Sequence, residues 1–97
     1  MASTYENFIW DENKRNANIK KHSIDFYEAA TVFDDPNALS AYDFEHSYDE
    51  DRFVIIGVSE NMRILIVCHC FRENGEVIRI ISARKAKKRE SLLYGGV

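Results

Sequence analysis

Two short turn-forming segments separate three apolar segments in the second half of the chain, and this spacing constrains the fold more than any other feature. The apolar segments run from about Arg52 to Val58, Ile64 to Phe71 and Glu76 to Ile81, and the links between them contain Ser59-Glu60-Asn61 and Glu73-Asn74-Gly75. Segments rich in β-branched and aromatic residues, joined by links this short, form antiparallel hairpins. Nearly every position of the middle segment is apolar, which predicts a central strand covered on both faces.

The first half of the chain carries two helix patterns. Asp11 is placed as the N-cap of a basic helix that runs to about Lys21. Asp25 and Glu28 have the spacing of a capping box, which predicts the start of a second helix. Apolar residues then recur at helical spacing, at Phe26, Ala29, Ala30 and Phe33. This helix ends before Pro36, whose ring disfavours helical geometry at the preceding residue.

Three further elements complete the predicted order. Asn7 to Trp10 indicates a short first strand, and Leu39 to Glu45 a second one that precedes the hairpins. A C-terminal helix is expected from Ala83 or Arg84 onward, ended by Gly95-Gly96. The order β-α-α-β-β-β-β-α is typical of an α+β protein.

Length and composition indicate one cytoplasmic domain. The 97 residues contain no repeat, low-complexity segment or linker, so we expect a single domain over residues 1–97. No stretch approaches the roughly 18 consecutive apolar residues of a membrane span, and the first ten residues lack the pattern of a secretory signal. The two cysteines, Cys68 and Cys70, are too close in sequence to staple a small secreted fold, which favours a reducing compartment.

Charge is unevenly distributed along the chain. The net charge is -3, which argues against a protein that coats duplex DNA through bulk charge. The segment from Asp34 to Asp51 contains seven acidic residues and neither Lys nor Arg. Nine of the 13 basic residues lie in two segments, Lys14 to Lys21 and Arg84 to Arg89. The pattern is compatible with a cationic site and a separate acidic face, or with solvated helix faces and an acidic loop.

The first candidate for chemistry is Lys20-Lys21-His22, at the junction of the two predicted helices. Imidazole titrates near neutral pH, and adjacent ammonium groups offer a phosphate a counter-charge. This combination suits acid or base chemistry on a phosphodiester. A solvated helix C-terminus explains the same residues without any chemistry.

Two pairs of charged residues on strands are further candidates. Glu50 and Arg52 share one face of any strand that they extend, where they form either a base with a guanidinium or a surface ion pair. Arg79 alternates with Val77 and Ile81, so it projects among apolar side chains as either an anion clamp or an ion-pair partner. Arg84 is expected at the start of the C-terminal helix, where backbone N–H groups also favour an anion.

Cys68-His69-Cys70 does not form a metal site in this interpretation. Strand alternation places both sulfurs on one face and His69 on the other, and no second cysteine pair completes a tetrahedral site. We expect two buried apolar cysteines instead.

Several spaced clusters, taken together, resemble the BrnT family of small toxins from bacterial type II toxin-antitoxin pairs. They are Trp10-Asp11, Lys14, Asn18, Lys21-His22, Phe26, Glu28-Ala29, Val32-Phe33, Asp35, Glu50, Arg52, Gly57, Arg79, Ile81-Ser82-Ala83-Arg84, Ala86, Glu90 and Tyr94. The resemblance implies a RelE-like fold, in which two N-terminal helices and a C-terminal helix pack on a twisted antiparallel sheet. It also implies an endoribonuclease that needs neither a metal ion nor a cofactor. This enzyme is expected to inhibit translation. The implied partner is a cognate antitoxin, a small DNA-binding repressor that assembles with the toxin into a heterotetramer.

The resemblance also implies which residues are functional. Its catalytic positions fall on Lys21, His22, Glu50, Arg52, Arg79 and Arg84, and further RNA-binding positions on Lys20, Lys87 and Lys88. Arg79 and Arg84 are assigned to the phosphate, with Arg52 or Lys21 in support, while the proton carrier is either His22 or Glu50. Two alternatives are a fold that binds RNA without turnover and a module that only docks an antitoxin.

Overall fold

A computed structural model of the chain describes residues 7–95. In chain order the elements are β1 (Phe8–Ile9), α1 (Glu12–His22), α2 (Phe26–Thr31), β2 (Leu39–Tyr42), β3 (Phe53–Val58), β4 (Ile64–Arg72), β5 (Val77–Lys85) and α3 (Lys88–Gly95). Single turns of 3₁₀ helix follow α2 and β4, at Val32–Asp34 and Glu73–Gly75. The predicted α+β order is confirmed; Gly96, expected to help end the last helix, lies outside the described residues.

The strands form one sheet in the order β1-β5-β4-β3-β2. The pairs β2–β3, β3–β4 and β4–β5 are antiparallel, as the short links predict. β1 pairs with β5 in parallel, through Phe8 opposite Ile78 and Ile9 opposite Arg79, so the sheet is mixed. The parallel pair arises because the chain crosses over through α1 and α2 between β1 and the rest of the sheet.

The two faces of the sheet differ in cover. One face, here the helix face, carries Leu65 and Val67 of β4 against the buried residues of α2 and its flanks, including Ile24 and Phe26. The opposite face, here the open face, carries Ile66 and Cys68, which stay half-buried. The expectation that β4 is covered on both faces is therefore wrong for the open face, because no helix lies across the whole of it.

The helix starts confirm the predicted caps but not the capping box. The Asp11 carboxylate accepts hydrogen bonds from the backbone N–H groups of Asn13 and Lys14 at 2.8 and 3.1 Å, and Asp25 accepts one from Tyr27 at 3.1 Å. The Glu28 side chain does not reach back to Asp25. It is buried and turned toward the β3–β4 link instead.

The largest differences from the predicted boundaries lie at the end of β2, the end of β5 and the start of α3. β2 ends at Tyr42, before Glu45, and β5 continues to Lys85, so α3 begins at Lys88 rather than at Ala83 or Arg84. Helix-forming residues at the end of β5 remain extended because they pair with β4, with Ala83 opposite Val67. The register shifts between Cys68 and His69, and Ile81 is the extra residue of a β-bulge in β5.

Glu28 forms a buried ion pair that closes the β3–β4 link. Its carboxylate accepts hydrogen bonds from the Ser59 hydroxyl at 2.6 Å and the Arg63 Nε at 2.9 Å, and it also contacts the Arg63 Nη2. The Arg63 guanidinium holds the pKa of Glu28 below its ordinary value of 4.5, with a further contribution from Ser59. The pair ties the start of the helical layer to the far end of the hairpin.

We predict that this pair makes stability depend on acid pH. A carboxyl whose pKa is lower in the folded state stabilises the fold above its ordinary pKa, and this stabilisation is lost as the pH falls through the folded-state value. Glu28→Gln should lower the free energy of unfolding by about 1–3 kcal/mol at pH 7 and reduce its dependence on acid pH. Urea unfolding between pH 3 and pH 7 measures both effects. Equal stability of the variant at pH 7 would contradict the assignment.

We predict that the two cysteines react slowly in the folded protein. Cys70 is buried and Cys68 half-buried, and burial, reinforced by the Asp43 carboxylate, raises the pKa of Cys68 to about 11. Because the thiolate is the reactive species, labelling by a thiol reagent at pH 7.5 should be slow in folded protein and fast in urea. Chelator should leave the melting temperature unchanged. Stoichiometric zinc whose removal unfolds the protein would contradict this interpretation.

Candidate active site

The open face carries arginines on both sides of Cys70. Arg79 of β5 lies opposite Cys70, and continuing the β3–β4 register by one residue beyond Phe53 places Arg52 opposite Cys70 on the other side. Adjacent strands lie about 4.8 Å apart, so the two arginine backbones are about 10 Å apart on one face. Two long side chains at this spacing can reach a common anion.

These two guanidiniums are incompletely partnered. Arg52 Nη2 lies 3.4 Å from the Glu50 carboxylate, and its Nε is buried with no hydrogen-bond partner in the described part of the chain. Arg79 is half-buried and forms no hydrogen bond or ion pair within residues 7–95. Buried polar groups are normally hydrogen-bonded, so unsatisfied donors of this kind mark a place where an anion can bind.

Glu50 lies between two arginines. Besides Arg52, it contacts Arg72 Nη2 at 2.9 Å. With one oxygen toward each guanidinium, the carboxylate holds both side chains over the open face. Arg72 was not among the residues predicted from the sequence, although its i+2 spacing from Cys70 places it on the same face of β4.

Arg84 is held by the C-terminal helix. It lies within β5, not at a helix start, and its two terminal nitrogens donate to the Glu90 carboxylate at 2.8 and 2.9 Å. The Arg84 guanidinium lowers the pKa of Glu90 to about 2, and the Lys87 backbone N–H also donates to this carboxylate. A second anchor, from the Tyr94 hydroxyl to the Asp35 carboxylate at 2.6 Å, keeps α3 against the sheet.

A depression of about 190 Å³ beside Arg52 and Arg84 contains a histidine that was not among the residues predicted from the sequence. His46 lines it together with Arg52, Ser82 and Arg84. The His46 Nδ1 lies 2.9 Å from an Asp43 carboxylate oxygen, which orients the ring. The spacing of Asp43 and His46, three residues apart before Arg52, was the available signal.

A second depression, of about 210 Å³, brings in the basic end of α1. Lys14, Lys21 and His22 line it, and it shares Ile81 and Ser82 with the first depression. The two depressions therefore meet at the β-bulge. Lys20 is exposed and does not line either depression, and Lys87 and Lys88 are exposed at the start of α3.

Asn18 fixes the position of this end of α1. Its buried side chain donates to the carbonyls of Ile24 and Ala83 at 2.9 and 2.8 Å and accepts from the Ala83 N–H at 3.0 Å. β1 pairs with β5 only at Ile78 and Arg79 and does not reach Ala83. At Ala83 the Asn18 amide makes the hydrogen bonds that a neighbouring strand would otherwise make with the backbone. Lys21 and His22 are thereby held beside Ser82.

The Cys68-His69-Cys70 segment has a structural role. His69 is buried on the helix face, where its ring contacts those of Phe33, Phe53 and Phe71, while Cys68 and Cys70 point to the open face, as predicted. Within residues 7–95 no group of three His, Cys, Asp or Glu side chains is arranged to hold a metal ion.

None of the helices within residues 7–95 has the length and apolar composition needed to cross a membrane.

Comparisons with known proteins match this chain to one family. A family model described as the ribonuclease toxin BrnT of type II toxin-antitoxin systems matches residues 10–90. The crystal structure of the ribonuclease toxin BrnT from Brucella abortus is similar, with a TM-score of 0.64 and 28% sequence identity over 84% of this chain and 96% of that chain. A search of curated proteins gives no match. Because the family model matches most of the length, this chain belongs to the BrnT family of ribonuclease toxins of type II toxin-antitoxin systems.

Proposed function

We propose that this chain is a metal-independent endoribonuclease that cleaves RNA in the cytoplasm, inhibits translation, and is held inactive by a small DNA-binding antitoxin. The observation that carries the proposal is the pair of incompletely satisfied guanidiniums, Arg52 and Arg79, on one face of the sheet, with His46 and His22 lining two depressions that adjoin at Ser82. Family membership supports ribonuclease activity and an antitoxin partner.

The proposed reaction needs three things from the protein. A base removes the proton from a ribose 2′-hydroxyl, whose oxygen attacks the adjacent phosphorus and forms a 2′,3′-cyclic phosphate. Cations stabilise the charge that grows on the phosphate oxygens, and an acid protonates the departing 5′-oxygen. Arginine is suited to the second task, since its planar guanidinium donates two parallel hydrogen bonds to a phosphate.

We assign the phosphate to Arg52 and Arg79, because both have hydrogen-bonding capacity left over. Lys21 adds positive charge from the neighbouring depression. Arg84 is assigned a supporting part, since both of its terminal nitrogens already donate to the Glu90 carboxylate, which offsets its charge.

The contacts favour a histidine over Glu50 as the proton carrier. Both oxygens of Glu50 are engaged by guanidiniums, one by Arg52 and one by Arg72, so this carboxylate is occupied in holding the two arginines. His46 is exposed, oriented by Asp43 and directed to the depression that Arg52 lines. His22 lines the adjoining depression, so the two histidines can serve as base and acid on opposite sides of one phosphate.

We predict that the unpaired arginine Arg79 is needed for cleavage but not for folding. Arg79→Ala should lower the cleavage rate of a single-stranded RNA by about 100-fold, the usual cost of removing a preorganised donor to transition-state charge. The melting temperature should change little, because Arg79 has no carboxylate partner within residues 7–95. The wild-type protein should keep its full activity in excess chelator.

Lys87→Ala is the matched control for this prediction. It removes a cation that is exposed just before α3 and lines neither depression. The variant should cleave at a rate close to wild type at saturating RNA, and the salt dependence of its RNA binding should fall by about one unit per lost phosphate contact. Arg79→Ala cleaving at the wild-type rate would show that the phosphate site is wrongly placed. RNA binding without any turnover by the wild type would identify a binding module instead.

We predict that His46 transfers a proton. His46→Ala should reduce the cleavage rate by about 100-fold or more, since general acid–base help contributes 10² to 10⁴. Asp43→Asn should alter the pH dependence of the rate while leaving RNA affinity nearly unchanged, because Asp43 acts by orienting the ring.

The pH profile separates this role from a structural one. A proton carrier contributes an inflection to the pH–rate profile of the wild type that is absent in His46→Ala. His22→Ala tested in the same way determines whether the second histidine is the other carrier. An unchanged pH profile in His46→Ala would remove this residue from the mechanism.

A further inference from the structure

The helix face of the sheet ends in a row of aromatic side chains that the helices do not cover. Tyr42 of β2 lies opposite Phe53 of β3, and Phe71 of β4 contacts Phe53 from the other side. Phe44, just beyond β2, packs its ring on Tyr42. We refer to Tyr42, Phe44, Phe53 and Phe71 as the aromatic face.

The rings of the aromatic face are in mutual contact across three adjacent strands. Ring centroids are separated by 4.7 Å between Phe44 and Tyr42, 5.5 Å between Tyr42 and Phe53, and 5.3 Å between Phe53 and Phe71. Phe44 is 85% exposed and Phe71 43% exposed. The side chains are therefore ordered by one another and still open to solvent.

Such a surface has the properties of a protein-binding site. Contiguous exposed apolar patches are uncommon on small proteins unless they are used for interaction. Aromatic side chains are also the residues that most often dominate binding energy, because they bury a large area at a low cost in conformational entropy.

The charges beside the aromatic face determine what kind of partner fits. The Tyr42 hydroxyl donates to the Asp51 carboxylate at 2.9 Å, and Glu45 and Asp49 are exposed in the same loop. This loop belongs to the segment from Asp34 to Asp51 that has seven acidic residues and neither Lys nor Arg. We refer to Glu45, Asp49 and Asp51 as the acidic rim. Its negative charge repels RNA and attracts a cationic partner.

A second copy of this chain fits the surface less well. In a symmetric dimer the same patch lies on both sides of the interface, so the second copy would bring a second set of the carboxylates of Glu45, Asp49 and Asp51 rather than cations. Like charges brought together at an interface are unfavourable.

We propose that the aromatic face is a docking surface for a positively charged segment of the antitoxin that carries aliphatic or aromatic side chains. The apolar side chains of that segment pack on Phe44 and Phe71, and its Lys or Arg side chains pair with the acidic rim. The surface lies on the opposite side of the sheet from Arg52 and Arg79. Antitoxin binding and RNA cleavage are therefore separable by mutation. The proposal rests on the antitoxin partner proposed above and not on the assigned nuclease mechanism.

The experiment measures antitoxin affinity and RNA cleavage for the same variants. The antitoxin is the product of the reading frame adjacent to the toxin gene, titrated calorimetrically into the full chain. Phe44→Ala should weaken binding by about tenfold, and the Phe44→Ala and Phe71→Ala double variant by more. Met62→Ala is the matched control, since Met62 is 82% exposed at the opposite end of the β3–β4 hairpin, and it should leave the affinity unchanged.

Charge is tested separately from packing. Glu45→Gln together with Asp49→Asn should weaken binding and reduce its dependence on salt, without altering RNA cleavage. Phe44→Ala should also cleave RNA at the wild-type rate. Melting temperatures of all variants are measured, and Phe44→Ala, with its mostly exposed ring, tests the proposal even where the double variant is destabilised.

Four results would overturn the proposal. They are failure of the wild-type chain to bind the adjacent gene product, unchanged affinity in Phe44→Ala, loss of RNA cleavage in Phe44→Ala with antitoxin affinity retained, and a wild-type dimer in sedimentation that Phe44→Ala dissociates. The third would identify an RNA-binding surface, and the fourth an interface between copies of this chain.

Discussion

The hydrogen bonds of one buried amide, that of Asn18, connect the parts of this molecule on which its candidate site depends. The side chain binds the backbone of Ala83 in β5 and of Ile24 in the link between α1 and α2. β5 continues beyond its short neighbour β1, so without Asn18 the backbone groups of Ala83 would be unpaired in the interior. The same contacts place Lys21 and His22 beside the β-bulge, where they adjoin the arginines of the open face.

The candidate site and the aromatic face differ in the charge of their surroundings. Cationic side chains outnumber carboxylates among the residues that line the two depressions, although the chain as a whole has a net charge of -3. The opposite side has the aromatic face and its acidic rim. Because side chains alternate along a strand, neighbours such as Arg52 and Phe53 serve different surfaces. This arrangement explains how an acidic protein can still present a local site for a polyanion.

Much of the candidate site could be predicted from residue types, but its internal pairing could not. Arg52, Arg79, Lys21 and His22 are candidates because cations and imidazole suit a phosphodiester. The structure brings Arg52, Lys21 and His22 to two adjoining depressions and places Arg79 on the same face of the sheet as Arg52. The contacts of Glu50 with two arginines and of Arg84 with Glu90 depend on how a loop and α3 fold back onto the sheet. His46 was overlooked for the same reason, since a histidine in an acidic loop acquires significance only through its position beside Arg52 and Ser82.

Local patterns in the sequence determined the order of elements, the hairpins, the caps at Asp11 and Asp25, and the alternation that separates Cys68 from His69. These features depend on interactions within a few residues or between adjacent strands. The parallel pairing of β1, the extension of β5 to Lys85 and the burial of Glu28 against Arg63 were decided by tertiary structure. In each case distant backbone or charged groups supply hydrogen-bond partners that local preference does not specify, and a buried polar group is stable only where such a partner exists.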